Sequence, residues 1–482
     1  MKHHGKFYID GTWVDPVSPR SFELVNPATE LPFASVSLGD AADVDRAVIA
    51  AREAFATFSR TSKAERIALL QRIVEGLVAH ERELAAAITE ELGAPIGLKQ
   101  LTGGAIDSFK QAITTLGSYE FEVRDGINVV RREPIGVCAL ITAWNWPVQL
   151  IATKLSAALA AGCTSIVKPS EFTPVSAILL MEILHAAGVP RGVVNLVNGD
   201  GLSVGQALCE HPDIDFVTFT GSTRAGVLVA QAAAPTVKRV SQELGGKSAN
   251  VVLPDADLKA AAQWNITRAF TNSGQSCHAP TRILVHEDQM DEMLQHLAEE
   301  AGRVRVGDPL DPSTTMGPLV NKAQFERVQR YIQIGLDEGA RLLCGGLGRP
   351  SGLERGYYVK PTVFANVAPD MTIAQEEIFG PVLSAIPYRT EAEAIEIANG
   401  TPYGLGAYVF AGDFDRGVAV GRELRAGRVF LNGAPSNTAG PMGGYRRSGN
   451  GREMGVFGLE EYLEVKAMFG FTSPGGLSAA RG

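Results

Sequence analysis

Nowhere does the 482-residue chain approach the roughly 18 consecutive apolar residues that a membrane span requires. Its amino terminus, MKHHGKFYIDGTW, also lacks an apolar core of signal-peptide length. No membrane partner is therefore expected, and a cytoplasmic location is the default. Long blocks of one charge are missing as well. The net charge of -9 is spread along the chain, so the electrostatic footprint of a nucleic-acid binder is absent and no such partner is expected. Cysteine is scarce: the five residues Cys138, Cys163, Cys209, Cys277 and Cys344 are odd in number and without CxxC spacing. That argues against a disulfide framework and a structural zinc site, fits a reducing compartment, and leaves no metal expected. Neither an internal repeat nor a low-complexity linker is evident, and the tail SPGGLSAARG is expected to be weakly structured.

What is present is apolar mass for large cores. Single cores usually stop growing at about 250 to 300 residues, so a chain of this length with 45% hydrophobic and 20% charged residues predicts two large domains, or one with appendages. A short β start, Phe7 to Val14 with a turn at Asp10 and Gly11, leads into helices over 40–120. Asp40 is a plausible N-cap for the first, and the run from Ser62 to Leu92 stops at Gly93. Residues 119–136 alternate apolar and polar side chains around Asp125 and Gly126, which predicts a hairpin that projects as an arm. From Val137 onward, β-branched runs alternate with helical stretches: VCALITAW, TSIVKP, VVNLVNG, DFVTFTGS and KRVSQEL. A second series runs through SANVVLP, RILVH, PTVFANV, GPVLSAIPY, LGAYVF and GRVFLNG. The fold class is α/β, with two doubly wound, Rossmann-like domains.

Several turns in these series carry chemically useful residues, each with a structural alternative. Gly199, Gly201 and Gly205 in NGDGLSVG miss the GxGxxG spacing by one residue, and such turns are common for steric reasons. In VTFTGSTRAG, the turn at Gly221 and Ser222 can receive a pyrophosphate at a helix N-terminus, or Ser222 can simply cap the helix. Lys168 and Glu171 in VKPSE follow a strand, where open α/β sheets bind ligands. A carboxylate there would accept hydrogen bonds from a ribose and repel a 2′-phosphate; a solvated loop is the alternative. Asn145 in AWNWP lies between Trp144 and Trp146 and before Pro147, where its amide can face an oxyanion or act as a turn residue. Cys277 in SGQSCHAP has polar, glycine-containing flanks that favour an exposed loop, unlike the four other cysteines, which read as inert core thiols. Glu243 in ELGGKS is a strand-end carboxylate before two glycines that would let it swing.

Taken together and in order, Asn145, Lys168, Glu171, the GSTRAG turn, Glu243, Cys277, Glu377 and Asn432 resemble the aldehyde dehydrogenase superfamily, specifically its hydrolytic NAD(P)-dependent members. The resemblance covers almost the whole chain and is carried by ELGGKS at 243–248, GQSC at 274–277, EEIFGP at 376–381 and SGNGREMG at 448–455. It implies Cys277 as nucleophile, Glu243 as general base, and Asn145 with the Cys277 amide as oxyanion hole. It further implies Lys168 and Glu171 on the adenosine ribose, Ser222 on the pyrophosphate, and Glu377 with Phe379 on the nicotinamide riboside. Trp144, Gly221, Gly226 and Leu244 join the cofactor site, and Trp146 and Met442 the substrate pocket. NAD is the expected cofactor, with NADP possible, and a small-molecule aldehyde the substrate. The resemblance places the cofactor domain at 1–120 and 137–246 and the catalytic domain at 247–446. An oligomerisation arm and carboxyl-terminal strand at 121–136 and 447–482 would build a homodimer or homotetramer.

Departures from the family pattern touch the substrate pocket. Pro441, Met442, Gly443 and Gly444 stand where many relatives read PFGG, residues 433–440 are small and polar, and Ala143 is commonly proline. The substrate is therefore not inherited. Two other readings remain: a CoA-acylating dehydrogenase, against which Glu243 speaks, and a silent NAD-binding or structural relative.

Overall fold

The computed structural model describes residues 2–18, 20–125 and 128–471. The expected weak structure of the tail at 473–482 and the hairpin turn at Gly126 lie outside the described residues.

An eight-stranded sheet holds the first βαβ series. Its order is Gly449–Asn450, Arg239–Glu243, Phe216–Thr220, Val137–Ile141, Thr164–Lys168, Val194–Leu196, Phe7–Ile9 and Thr12–Val14. The five central strands are parallel, and antiparallel strands close both edges. All five residues of Val137–Ile141, of Thr164–Lys168 and of Phe216–Thr220 are buried, which is why these segments are continuous apolar and β-branched runs and not alternating ones. Chain order reverses at Val137–Ile141: Thr164–Lys168 lies on one side and Phe216–Thr220 on the other. A ligand crevice forms at such a switch point, beyond the carboxyl ends of the strands.

The second series forms a seven-stranded sheet in the order Arg341–Cys344, Thr362–Ala365, Val382–Tyr388, Arg282–His286, Ala249–Val252, Gly406–Phe410 and Arg428–Leu431. Only Arg341–Cys344, an edge strand the sequence pattern did not reveal, runs antiparallel. A third sheet pairs Glu122–Asp125 with Asn128–Pro134 and that strand with Leu463–Phe469, as the hairpin reading anticipated. A fourth, of Lys2–His4, Leu31–Leu38 and Arg20–Asn26, was not anticipated.

Asp40 caps the helix Ala41–Phe58 through a reciprocal capping box with Asp43. The run from Ser62 to Leu92 is not one helix: it breaks at His80 into Lys63–Ala79, capped by Ser62 and Glu65, and Glu81–Leu92, which ends at Gly93 in the left-handed region. Two residue sets explain why the sheets stay together. Apolar clusters cover both faces of each sheet, and the segment Gly449–Asn450, far along the chain, returns to pair with Arg239–Glu243 of the first sheet.

Candidate active site

The two sheets meet with opposite polarity. From the first come the carboxyl ends: Trp144 and Asn145 follow Val137–Ile141, Glu171 follows Thr164–Lys168, Gly221 and Ser222 follow Phe216–Thr220, and Glu243 ends its own strand. From the second come the segments before the strands: Cys277 precedes Arg282–His286, and Glu377 and Phe379 precede Val382–Tyr388. The expected nucleophile, base and cofactor residues converge on one seam.

The Cys277 loop is held rigidly. Asn272 and Ser273 take φ of 52° and 57°, a costly conformation for non-glycine residues that persists only when the surroundings over-determine it. Those surroundings are visible. Asn272 Nδ2 donates to Asn145 O at 2.8 Å, Ser273 Oγ to Gly317 O at 2.8 Å, and Val320 N to Gln275 Oε1 at 3.0 Å. Gly274 packs directly on the Gly380 carbonyl, so a β-carbon has no place there. Asn145 is buried, and its Nδ2 donates to Gln275 O at 3.1 Å, which leaves the second amide proton free. Trp146, the N-cap residue of the helix Pro147–Ala161, donates through Nε1 to Ser276 Oγ at 3.0 Å.

Cys277 is half-buried and not on the exposed loop that its polar flanks suggested, because the Gly246 backbone lies against its carbonyl. Burial pushes its thiol well above the usual range, and the carboxylates of Glu243 and Glu377 add to that. His278 Nδ1 lies 3.8 Å from Cys277 Sγ, but burial lowers this imidazole to about 3, so it is neutral near pH 7. Cys138, Cys163 and Cys209 are buried; Cys344 is half-buried in its edge strand.

Glu243 is 5% exposed, and neither carboxyl oxygen has a hydrogen-bond partner. Burial first, then the neighbouring Glu453, raise its pKa well above the ordinary value, opposed by Lys154, Arg452 and Arg428. With neither oxygen committed, the carboxyl has no hydrogen bond to break before it meets a molecule that enters the site. Sequence reasoning missed the ion pair beside it, Lys154 with Glu453, in which Lys154 also donates to Thr218 Oγ1 at 3.1 Å. One signal was legible: Lys154 is the only charged residue in the mostly apolar helix PVQLIATKLSAALAA. Met442 exchanges two backbone hydrogen bonds with Glu453, of 2.8 and 2.7 Å, and so stands beside this pair.

The remaining candidates line the crevice of the first sheet. Lys168 is buried, donates to Pro169 O at 2.8 Å and stands 4.0 Å from the half-exposed Glu171. Ser222 caps the helix Thr223–Ala233, its Oγ accepting from Ala225 N at 3.3 Å, so the capping alternative is realised while the hydroxyl proton remains available. Gly226 is pressed against Leu244, whose Cδ2 would lie 2.7 Å from an added β-carbon. Trp144 meets Phe379 edge-on at 5.3 Å. Phe379 has φ of 63°, and Gln324 Nε2 donates to its carbonyl at 2.7 Å. Gly246 N donates to Glu377 Oε1 at 3.0 Å, and burial raises the Glu377 carboxyl to about 7. The crevice has unused capacity: Thr142 Oγ1, just after Val137–Ile141, and Thr220 Oγ1, at the end of the neighbouring strand Phe216–Thr220, are buried without partners. Buried orphan hydroxyls are rare, and here they fit a polar ligand such as a dinucleotide.

One motif residue and one glycine turn are outside this constellation. Asn432 clamps Ala411 by accepting from its N at 2.8 Å and donating to its O at 2.9 Å. The NGDGLSVG turn is a short π-helix whose Asp200 accepts from Ser203 N at 2.7 Å. Among the described residues, no helix is long and apolar enough to cross a membrane, and no cluster of side chains could hold a metal ion.

The family model of the aldehyde dehydrogenase family matches residues 13–468. A 3-succinoylsemialdehyde-pyridine dehydrogenase from a Pseudomonas species is 52% identical over 475 residues, 98% of this chain and 99% of that protein. Among solved structures, a cysteine-to-alanine variant of aldehyde dehydrogenase C from Pseudomonas syringae, complexed with NAD+ and octanal, superposes with a TM-score of 0.96. It shares 52% identity and covers 97% of both chains. An aldehyde dehydrogenase from Bartonella henselae also gives 0.96, at 42% identity, over 97% of this chain and 100% of that one. Matched by the family model over residues 13–468 and by relatives along nearly its full length, the chain belongs to the aldehyde dehydrogenase family.

Proposed function

We propose that the protein oxidises an aldehyde to the carboxylic acid with NAD, through an acyl-thioester on Cys277 that water hydrolyses. The observation that carries this reading is the convergence of Cys277, Asn145 and the unpartnered carboxyl of Glu243 on one seam between the sheets. The solved relative that holds both NAD+ and octanal supports the cofactor and the substrate class.

In the first step, the Cys277 thiol releases its proton to solvent water, Sγ bonds to the aldehyde carbon, and the carbonyl π electrons become the oxyanion. The free Asn145 amide proton and the Cys277 N–H receive that charge; removing one such donor costs about 3 kcal/mol of transition-state stabilisation. NAD, when bound, supplies the hydride acceptor. Lys168, Glu171, Ser222 and Glu377 with Phe379 hold its two halves, with Trp144, Gly221, Gly226 and Leu244 shaping the bed. Glu171 favours NAD over NADP, since a 2′-phosphate would meet a carboxylate. Once the acyl group sits on Sγ, the ionised form of Glu243 takes a proton from water, and general-base help of this kind is worth about 10² to 10⁴-fold. Lys154 and Glu453 tune the base: the cation favours its ionised form and the carboxylate opposes it. Trp146 and Met442 flank the entering aldehyde.

The division into a cofactor domain at 1–120 and 137–246, a catalytic domain at 247–446 and an arm at 121–136 and 447–482 belongs to the same proposal. So does assembly into a homodimer or homotetramer through the arm. Its sheet leaves Val123, Val465 and Phe469 exposed, a liability for an unpaired edge. Five free cysteines suit a cytoplasmic location.

Mixing the protein with NAD and an aldehyde should generate NADH, and Cys277→Ala should abolish it. No NADH from a panel of aliphatic and aromatic aldehydes overturns the enzyme reading, full turnover by Cys277→Ala overturns the nucleophile, and a strict requirement for CoA overturns hydrolysis.

A further inference from the structure

Two demands fall on one N–H at the nucleophile. Burial, then the carboxylates of Glu243, Glu377 and Glu453, hold the Cys277 proton on its sulfur, and the opposing help comes from the Cys277 backbone N–H. That N–H is also one of the two donors assigned to the oxyanion. A thiolate that forms before the aldehyde enters therefore needs a second donor, one that stays with sulfur when the N–H turns to the carbonyl oxygen.

His278 is in place to be that donor. Ala279 N donates to Ser276 O at 3.1 Å and closes a turn whose two central residues are Cys277 and His278. The turn brings His278 Nδ1 to 3.8 Å from Cys277 Sγ, a long hydrogen-bond distance that the size of sulfur allows. The backbone behind the ring is fixed: Tyr408 Oη donates to His278 O at 2.7 Å, and Tyr408 is stacked on Phe430 with ring centroids 5.2 Å apart.

The charges around the ring decide what it can do. Burial, then Arg268 and Arg428, lower His278 to about 3. Arg268 belongs to the helix Leu258–Phe270, and Arg428 is anchored by donating to Pro441 O at 2.7 Å and Gly440 O at 2.8 Å. A ring so disfavoured as a cation does not keep the thiol proton, which goes to solvent water. It stays neutral and carries its single N–H on one of two nitrogens. Beside a thiolate the Nδ1–H tautomer is the favoured one, since the other turns a lone pair toward the negative sulfur.

We propose that His278 is a positioning donor for the nucleophile: its neutral imidazole gives the Nδ1–H to the Cys277 thiolate, holds Sγ in place and leaves the Cys277 N–H to the oxyanion. The proposal rests on the reading of Cys277 as the nucleophile and adds to it the group that keeps the thiolate available. His278 is thus neither the general base, which is Glu243, nor a carrier of the thiol proton.

The test is the rate at which iodoacetamide alkylates Cys277, followed on the Cys277 peptide by mass spectrometry from about pH 6 to about pH 10, since the thiolate is the form that reacts. His278→Phe keeps a ring without a donor, His278→Ala removes the ring, and His278→Asn places an amide N–H near the position of Nδ1. A hydrogen bond to a charged group, at the weaker end of its range because 3.8 Å is long, is worth about tenfold in thiolate population. His278→Phe and His278→Ala should therefore displace the pH–rate curve by about one unit to higher pH, and His278→Asn should return it close to wild type. Either donor-less variant suffices if the other does not fold. Donor-less curves that superpose on wild type, or a His278→Asn curve displaced as far as theirs, overturn the proposal. Cys277→Ala keeps the two readings apart: NADH formation from an aldehyde that is lost in that variant leaves Cys277 as the nucleophile even where the curves superpose, whereas full turnover by it takes both down.

Discussion

Glu243→Gln separates the two halves of the proposed reaction. The substitution is nearly isosteric at a site 5% exposed, where neither oxygen is hydrogen-bonded, so no partner is orphaned by it. Its effect on the fold follows from linkage. The carboxyl has a folded pKa raised well above its unfolded value of about 4.3, so the wild type loses stability as pH rises from about 4.3 toward the folded value. Glutamine carries no such slope. Denaturation at about pH 5 and pH 8 should therefore show the variant at least as stable as the wild type at the higher pH. Its effect on catalysis is opposite in sign. Acylation does not require the base, but deacylation loses about 10² to 10⁴-fold, or about 3 to 5 kcal/mol. In a stopped-flow assay with excess aldehyde, a burst of NADH equal to the active subunits should precede a steady state slowed by that factor. Wild-type turnover without a burst would remove Glu243 from hydrolysis. Loss of the burst itself would place its role before the thioester.

Two more consequences are measurable. Burial raises Glu377 to about 7, and its ionised form is the stronger acceptor of hydrogen bonds from ribose hydroxyls, so KM for NAD should fall as pH rises through about 7. Glu377→Gln should flatten that dependence and raise KM for NAD roughly tenfold at alkaline pH; an unchanged profile refutes the assignment. If the arm pairs with a second copy, light scattering should report a dimer or tetramer, and Val465→Lys, at a position 66% exposed, should shift it toward monomer; a fully active wild-type monomer refutes the arrangement.

The sequence discloses most strongly what depends on the spacing of apolar residues. Both βαβ series, their buried central strands and the arm hairpin were legible because parallel strands covered on two faces leave continuous apolar runs. The strands Arg20–Asn26 and Leu31–Leu38 escaped because their burial is mixed and the second begins with an exposed leucine and proline. Within the site, residues at strand ends and glycine turns were legible, since those positions suit ligands. The Lys154–Glu453 pair was not, because its partners are brought together only when Gly449–Asn450 returns to the first sheet. The half-burial of Cys277 escaped for a similar reason: the carbonyl contact from Gly246 comes from a strand connection that local polarity does not report.

The polarity of the seam explains why one chain needs both sheets for one reaction. Carboxyl ends of parallel strands bring turns that open onto helix N-termini, suited to hydroxyls and phosphates, and the first sheet contributes Glu171, Ser222 and the orphan threonines there. A nucleophile needs the opposite: a fixed loop with few degrees of freedom and a base within reach. The second sheet provides the loop ahead of its strand, pinned by Asn272, Ser273 and Gln275, while the base comes from the first sheet at Glu243. Cys277 and Glu243 are thus carried by different sheets, and only the seam joins them. A change that loosens the seam without touching either residue should lower turnover as surely as removing one of them. The contacts to watch are those that cross it: Asn145 to Gln275, Trp146 to Ser276, and Gly246 to Glu377.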